Sequence, residues 1–205
     1  MGAGAASERP GPPVRVAGRE DIDAVTDVIC SAFREDPLWT WAFPDHSGIF
    51  PWWRLLIASA TRYPWVSVAG DFMAVSVWIP PNGRELTEQE EGELAPLAEE
   101  LAGSRSPEVM ELMERFDASH PKHTPHFYLS LVGTHPEHRG KGVGVGLLAD
   151  NLSKIDELGM PAYLESSNPA NQPRYERLGF EQIGEFSTPD DSRTVTTMWR
   201  EPRSP

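Results

Sequence analysis

The chain has 205 residues, 39% of them hydrophobic and 24% charged, which suits one globular domain with a buried core. Lys and Arg number 18 against 31 Asp and Glu, and the resulting formal net charge of -13 argues against a nucleic-acid partner and favours a neutral or cationic one, such as an amine. No run reaches the ~18 apolar residues of a membrane span and the N-terminus has no secretory signal, so a cytoplasmic protein without a membrane partner is expected.

Residues 1–13, rich in Gly, Ala and Pro, read as a disordered tail, and a single domain is expected over 14–205. A short strand at 14–17 leads to a helix in which Ile22, Val25, Ile29, Ala32 and Phe33 fall on one face after the acidic start Glu20-Asp21. Cys30 lies in that apolar pattern, where it reads as a small buried hydrophobe, and as a single cysteine it has no disulfide partner in the chain. Asp36-Pro37 ends the helix, the segment 38–45 reads as a Pro-bounded extended loop with Trp39, Trp41 and Phe43, and a second helix runs over 51–63. Strands at 65–69 and 72–79 meet at Gly70-Asp71 as a hairpin closed by Pro80-Pro81.

Thr87 with Glu90 forms a capping box for an acidic helix whose charges from Glu85 to Glu100 read as a solvated face, and Ser106-Pro107 starts another helix. His120, His123 and His126 follow with a spacing that matches no metal-ligand pattern, so they read as a solvated loop and no metal is expected. A strand at 127–132 then precedes His138-Arg-Gly-Lys-Gly-Val-Gly-Val-Gly146 and a helix with Val143, Leu147, Leu148, Leu152, Ile155 and Leu158 on its apolar face. Strands at 162–166, 180–186 and 193–200 and a short helix at 172–178 complete the chain. The order is β-α-α-β-β-α-α-β-α-β-α-β-β.

The glycines at 140, 142, 144 and 146 remove the side chains that would keep an anion from the backbone, at a helix start whose free amides and dipole carry partial positive charge. Arg139 and Lys141 add full charges, and His135 and His138 flank the turn. Three phosphate-binding spacings compete. A P-loop fails, because His135 stands at its first glycine and Gly142 where Ser or Thr should be. A dinucleotide fingerprint on Gly144 and Gly146 begins twelve residues after Val132 and inside the helix, too late for a turn that follows its strand.

The third spacing, Arg139, Gly142 and Gly144, resembles that of the GNAT acetyltransferase superfamily. The likeness extends to Leu131-Val-Gly-Thr-His-Pro-Glu-His-Arg139 before the turn and Asn168-Pro-Ala-Asn-Gln-Pro-Arg-Tyr175-Glu-Arg-Leu-Gly-Phe180 after it. Within the superfamily the pattern is most similar to the puromycin N-acetyltransferase group, through Ala74-Val-Ser-Val-Trp78-Ile-Pro80, Tyr163-Leu-Glu-Ser-Ser167 and the segment from Tyr175. It covers roughly 14–200, tightly in the C-terminal half. The resemblance implies a mixed α/β fold with a twisted, mostly antiparallel sheet of about seven strands flanked by helices, and a splayed parallel pair that binds coenzyme A.

The resemblance also implies the chemistry, an acetyl-CoA-dependent transfer to the primary amine of a small molecule, with an aminonucleoside or other amine antibiotic as one acceptor. In that family the pyrophosphate rests on the turn, here Arg139, Gly140, Lys141, Gly142, Val143 and Gly144. The pantetheine arm pairs with the splayed strand, here Leu131, Val132, Gly133 and Thr134, and an amide there, that of Val132, polarises the thioester carbonyl. Asn168 and Asn171 contact the pantetheine or cap the short helix. Tyr175 matches the tyrosine that protonates the departing sulfur; packing against Phe180 is its structural role.

Glu165 is the candidate general base, with cation binding or a strand hydrogen bond as equal alternatives, and a water relay serves many family members instead. Asp36 is a second candidate for attracting the amine, while Trp39 and Trp41 are candidates for lining the acceptor pocket, both facing one side if their segment is extended. Two other functions stay open: acetylation of a peptide lysine or N-terminus, and a non-catalytic acyl-CoA-binding regulatory domain. The expected assembly is a monomer or a homodimer.

Overall fold

Residues 11–45 and 48–203 are described in a computed structural model, so the first ten residues of the expected tail lie outside the described residues. The strands are β1 (Val14–Val16), β2 (Val66–Ala69), β3 (Ala74–Ile79), β4 (Phe127–Thr134), β5 (Ala162–Ser166), β6 (Glu181–Ser187) and β7 (Thr194–Arg200). The helices are α1 (Ile22–Phe33), α2 (Pro37–Ala42), α3 (Phe50–Ala60), α4 (Glu88–Ala102), α5 (Ser106–Ser119), α6 (Val143–Glu157) and α7 (Gln172–Arg177). The strands form one seven-stranded sheet in the order β1-β2-β3-β4-β5-β7-β6, antiparallel except for the β4-β5 pair. This is the mixed α/β architecture, with a mostly antiparallel sheet of seven strands and one parallel pair, that the resemblance implied. Among the described residues no helix is long and apolar enough to cross a membrane.

Burial of β2 and β3 on both faces follows from their near-continuous Val, Ala, Ser, Trp and Ile composition, which lets helices cover the sheet above and below. On one face lie α1, α3 and α5 with Val25, Ile29, Trp53, Ile57 and Leu112; on the other, α6 contributes Leu148, Leu152 and Ile155. Two glycines set how closely these layers approach. A side-chain carbon on Gly133 would meet the Ala32 methyl at 2.9 Å and Ile29 at 3.1 Å, and one on Gly144 would collide with Thr134, so bare backbone lets α1 and α6 press onto β4.

Polar groups lock α6 to the sheet. Asn151, 1% exposed, accepts from the Ser76 hydroxyl (2.7 Å) and the Trp78 indole (3.1 Å) and donates to the Ser67 hydroxyl (3.1 Å). Near the end of α6, Asp156 forms a bidentate pair with buried Arg200 of β7 at 2.6 and 2.7 Å, and Arg200 also donates to the Leu178 carbonyl. Both anchors hold the start of α6 in a fixed relation to the carboxyl end of β4.

Two expectations need correction. The segment after Asp36-Pro37 is not extended: it forms α2, because Asp36 caps it by accepting from the amides of Leu38 (3.0 Å) and Trp39 (3.2 Å) and Pro37 fits the first turn. The β2-β3 connection spans 70–73 rather than closing at Gly70-Asp71, with Gly70 (φ 58°) and Phe72 (φ 50°) in left-handed conformations, so β3 starts at Ala74.

Removing the Asn151 side chain leaves two buried donors and a hydroxyl without partners, each costing about 1–3 kcal/mol. We expect Asn151→Ala to lower unfolding free energy in urea by at least about 2 kcal/mol, against a much smaller change for the exposed Asp150→Ala.

Candidate functional site

Strand β4 pairs with β5 at only three positions, Phe127-Ala162, Tyr128-Tyr163 and Leu129-Leu164. Past them β4 runs on to Thr134 and β5 to Ser166 without pairing, so the two strands part like a wedge. The register between β4 and β3 also shifts here: Val77 faces Leu131 and Trp78 faces Leu129, leaving Ser130 as the extra residue of a bulge. Parting strands expose backbone that a ligand can pair with, at the carboxyl end of a parallel strand where open α/β sheets bind ligands.

Two cavities open from the wedge. One, about 580 Å³, is lined by Gly133, Thr134, Arg139, Gly140, Gly142, Val143 and Gly144 together with Asp36, Asn168 and Arg174. The other, about 670 Å³, is lined by Leu131, Trp39, Trp53, Glu85, His120 and Glu165 among others. Phe33, Val132, Asn171 and Tyr175 line both, so the cavities meet where β4 passes the side chain of Tyr175.

The smaller cavity fits a pyrophosphate. Gly140 (φ 75°) and Gly142 (φ 76°) take left-handed conformations, and a side-chain carbon at either would point into open space. Gly142 caps α6 without a side chain, leaving the amides of the first turn for a ligand. Arg139 donates to the Ala32 (3.0 Å) and Ser31 (3.3 Å) carbonyls at the end of α1, which fixes its stem beside the turn. Arg174 and Arg177, which the sequence reading passed over, bring two more cations to the wall; their signal was a spacing of three on one short helix.

The expected site residues do not all converge. Lys141 is exposed and, like Trp41, is not among the described residues that line either cavity. Trp41 parts from Trp39 because residues two apart on a helix project about 200° apart. Its indole donates to Asp190 at 2.8 Å and Arg105 stacks on it at 5.1 Å, anchoring α2 to the β6-β7 turn. Trp39 does line the larger cavity, though 8% exposed and packed edge-on against Trp53 at 4.6 Å, so it is wall and core at once. Asp36 lies in the wall of the smaller cavity, where besides capping α2 it accepts from the Ser167 hydroxyl at 2.8 Å. Asn168 caps its own turn by accepting from the Ala170 amide, and Asn171 accepts from Arg174.

Tyr175, 9% exposed, stacks edge-on to Phe180 at 6.2 Å and reaches both cavities. Burial, reinforced by the negative charge of Asp36, pushes its phenol up to about 12, so it holds its proton at neutral pH.

Glu165, with a side chain 3% exposed, belongs to a group the sequence reading dispersed. Its carboxylate lies 3.7 Å from Nδ1 of His120, whose Nε2 is 3.1 Å from Nε2 of His126. The expectation of a solvated histidine loop is corrected for these two, which sit in the cavity wall against Tyr128 and Tyr163 at 4.8 to 5.6 Å; His123 is exposed. Glu85, bonded by the Ser130 hydroxyl, joins them, and burial together with the nearby Glu165 raises its carboxyl above the usual range. No periodicity links Glu85, His120 and Glu165; only the wedge assembles them.

Residues 110–182 match the family model of the acetyltransferase (GNAT) domain. An uncharacterised N-acetyltransferase of Schizosaccharomyces pombe is 36% identical over 80 residues, a match covering 38% of this chain and 32% of that protein, so the matched part spans about a third of the relative's length. Over 96% of this chain and 99% of the other, the fold is similar (TM-score 0.68, 25% identity) to a Corynebacterium glutamicum structure described as histone acetyltransferase HPA2 and related acetyltransferase. Arylalkylamine N-acetyltransferase 2 from Aedes aegypti has a similar fold over 93% of this chain and 99% of its own (TM-score 0.67, 12% identity).

The four tyrosines divide sharply. Burial and the charge of Glu165 raise Tyr128 and Tyr163, and Tyr175 is raised with them. At Tyr63 burial is the largest single effect, but the bond and charge of Arg62 together with the Arg84 backbone outweigh it, and the phenol is lowered. An ultraviolet titration of the folded protein should therefore count one phenolate up to about pH 11; three or four ionising near pH 10 would contradict the buried arrangement.

Proposed function

We propose, from the premise that the chain is a GNAT-type acetyltransferase, that it moves the acetyl group of acetyl-CoA to the primary amine of a small molecule by direct attack in a ternary complex. The observation that carries this reading is the meeting of the two cavities at Val132 and Tyr175. A cosubstrate held from one side and an amine entering from the other come together there without a covalent enzyme intermediate.

Acetyl-CoA supplies an activated acyl group and a thiol leaving group. The glycine turn, with Arg139 and Arg174, holds the pyrophosphate, and the unpaired edge of β4 from Leu131 to Thr134 aligns the pantetheine as an added strand. The backbone at Val132 stabilises the charge that develops on the carbonyl oxygen as the amine nitrogen bonds to the carbonyl carbon. As the carbon-sulfur bond breaks, Tyr175 donates its proton to the sulfur and recovers one from the new amide nitrogen, so its charge is unchanged over the cycle.

The larger cavity favours an acceptor that joins a cationic amine to an aromatic or bulky apolar body. Its wall combines Phe33, Trp39, Leu56 and Met113 with the carboxyl groups of Glu85 and Glu165. An arylalkylamine, the substrate class in the name of the Aedes aegypti neighbour, has that shape, and so does an aminonucleoside antibiotic such as puromycin. Acetylation of such a drug would make the protein a resistance factor acting in the cytoplasm, where both the drug's target and acetyl-CoA are found.

Thiol release from acetyl-CoA, measured across a panel of arylalkylamines, puromycin, polyamines and lysine peptides, tests this. The first two classes should exceed peptides by about tenfold in kcat/KM, a difference of ~1.4 kcal/mol. Peptides outcompeting them would move the acceptor to protein, and acetyl-CoA binding without amine-dependent release would leave a regulatory domain. Tyr175→Phe should lower kcat about 100-fold with acetyl-CoA affinity nearly unchanged; an unaltered kcat would remove the phenol from the reaction.

A further inference from the structure

Two hydrogen-bonding contacts order the tautomers of the histidine pair. Nδ1 of His126 lies 2.7 Å from the Thr124 carbonyl, which only accepts, so that nitrogen carries a hydrogen. Burial, then the neighbouring His120, keep His126 below the ordinary imidazole range and therefore neutral, leaving its Nε2 as a bare acceptor. That nitrogen faces Nε2 of His120 at 3.1 Å, so His120 must donate there. In the neutral form of His120 this leaves Nδ1 without a hydrogen, and that nitrogen lies 3.7 Å from the Glu165 carboxylate.

We propose that His120 Nδ1 takes the proton of the acceptor's ammonium group, with Glu165 stabilising the imidazolium and His126 acting as a positioning residue that fixes the tautomer. This inference rests on the function proposed above. A lone pair and a carboxylate facing each other have a vacant proton position between them, and 3.7 Å is too long for a direct hydrogen bond but leaves the edge open to an N-H from the cavity or to one bridging water. His120 also caps the C-terminal end of α5, where the helix dipole favours a cation. The ionisable groups facing it are His126, Tyr128 of β4, Tyr163 and Glu165 of β5, and Glu85 from the segment before α4. Two of these are carboxyl groups and none is a cation at neutral pH.

The proton count balances. The ammonium loses one N-H proton to His120 Nδ1, its nitrogen keeps the electron pair for attack on the carbonyl carbon, and the imidazolium passes the proton to water at the cavity mouth. The His120 side chain is 31% exposed, which gives it that route, whereas Glu165 at 3% has none of its own. Turnover then returns the pair to its bare state.

The test is the pH dependence of kcat/KM for the best amine of the panel, with acetyl-CoA affinity measured alongside as a check on folding. Wild-type enzyme should show one acid limb. His120→Ala should fall about 100-fold at pH 7, lose that limb, and regain part of its rate when imidazole is added. His126→Phe, which frees the tautomer, should displace the limb while acetyl-CoA affinity is kept. If His120→Ala keeps both rate and limb, or loses rate without imidazole rescue while acetyl-CoA affinity is intact, the assignment of His120 is overturned and the proposed function stands. A wild-type enzyme that acetylates no amine overturns the function itself, and this inference with it.

Discussion

Everything in this fold turns on two adjacent strands that stop being hydrogen-bonded after three residues. A parallel pair is stabilised by evenly spaced backbone bonds, and each buried amide or carbonyl left without a partner costs on the order of 1–3 kcal/mol. From Ser130 onward β4 forgoes that pairing on the side facing β5, where its edge lines the two cavities, while α1 and α6 hold the strand from both faces. The glycines that permit the clamp, Gly133 and Gly144, therefore serve the site without needing to touch a ligand. In the proposed function that free edge is what the extended arm of the cosubstrate would pair with.

Charge follows the same division of space. The chain as a whole carries -13, yet Arg139, Arg174 and Arg177 gather on the smaller cavity while Glu85 and Glu165 occupy the larger. The two cavities are thus oppositely charged, as the proposed pair of a polyanionic cosubstrate and a cationic amine would require. The cations are exposed and screened by salt, whereas Glu85 and Glu165 are partly buried in the cavity wall, where electrostatic interactions are screened less.

The conformation of the glycine turn was legible in the sequence because its determinants are local. Backbone conformation at Gly140 and Gly142, the helix start and the strand before it depend on neighbours a few residues away, and spacing alone separated this turn from two other glycine codes. The acceptor side was not legible for the opposite reason. Glu85, His120 and Glu165 are brought together by the sheet across 80 residues, so the three histidines read as an irregular loop and Glu85 as part of a solvated face. Trp41 failed differently: one capping carboxylate, Asp36, turned an apparent extended loop into a helix, and a two-residue spacing that puts side chains together on a strand puts them on opposite sides of a helix.

That same carboxylate ties the two halves of the site together. Asp36 caps α2, which carries Trp39 into the acceptor wall, and binds Ser167 just beyond β5, while its charge works with burial to hold the Tyr175 phenol up to about 12. In the proposed reaction a phenol tuned this way keeps its proton through the resting state and would give it up only as charge develops on a leaving thiolate, ordinarily basic to ~8.5. Burial near Asp36 thus keeps the Tyr175 phenol protonated at neutral pH, while the His120-Glu165 pair lies at the other end of the cavity system with its edge open. A protonated donor and an open acceptor edge, held at different depths of one cavity system, are what the proposed direct transfer would use, because it needs a proton given at the sulfur and one taken at the amine at the same pH.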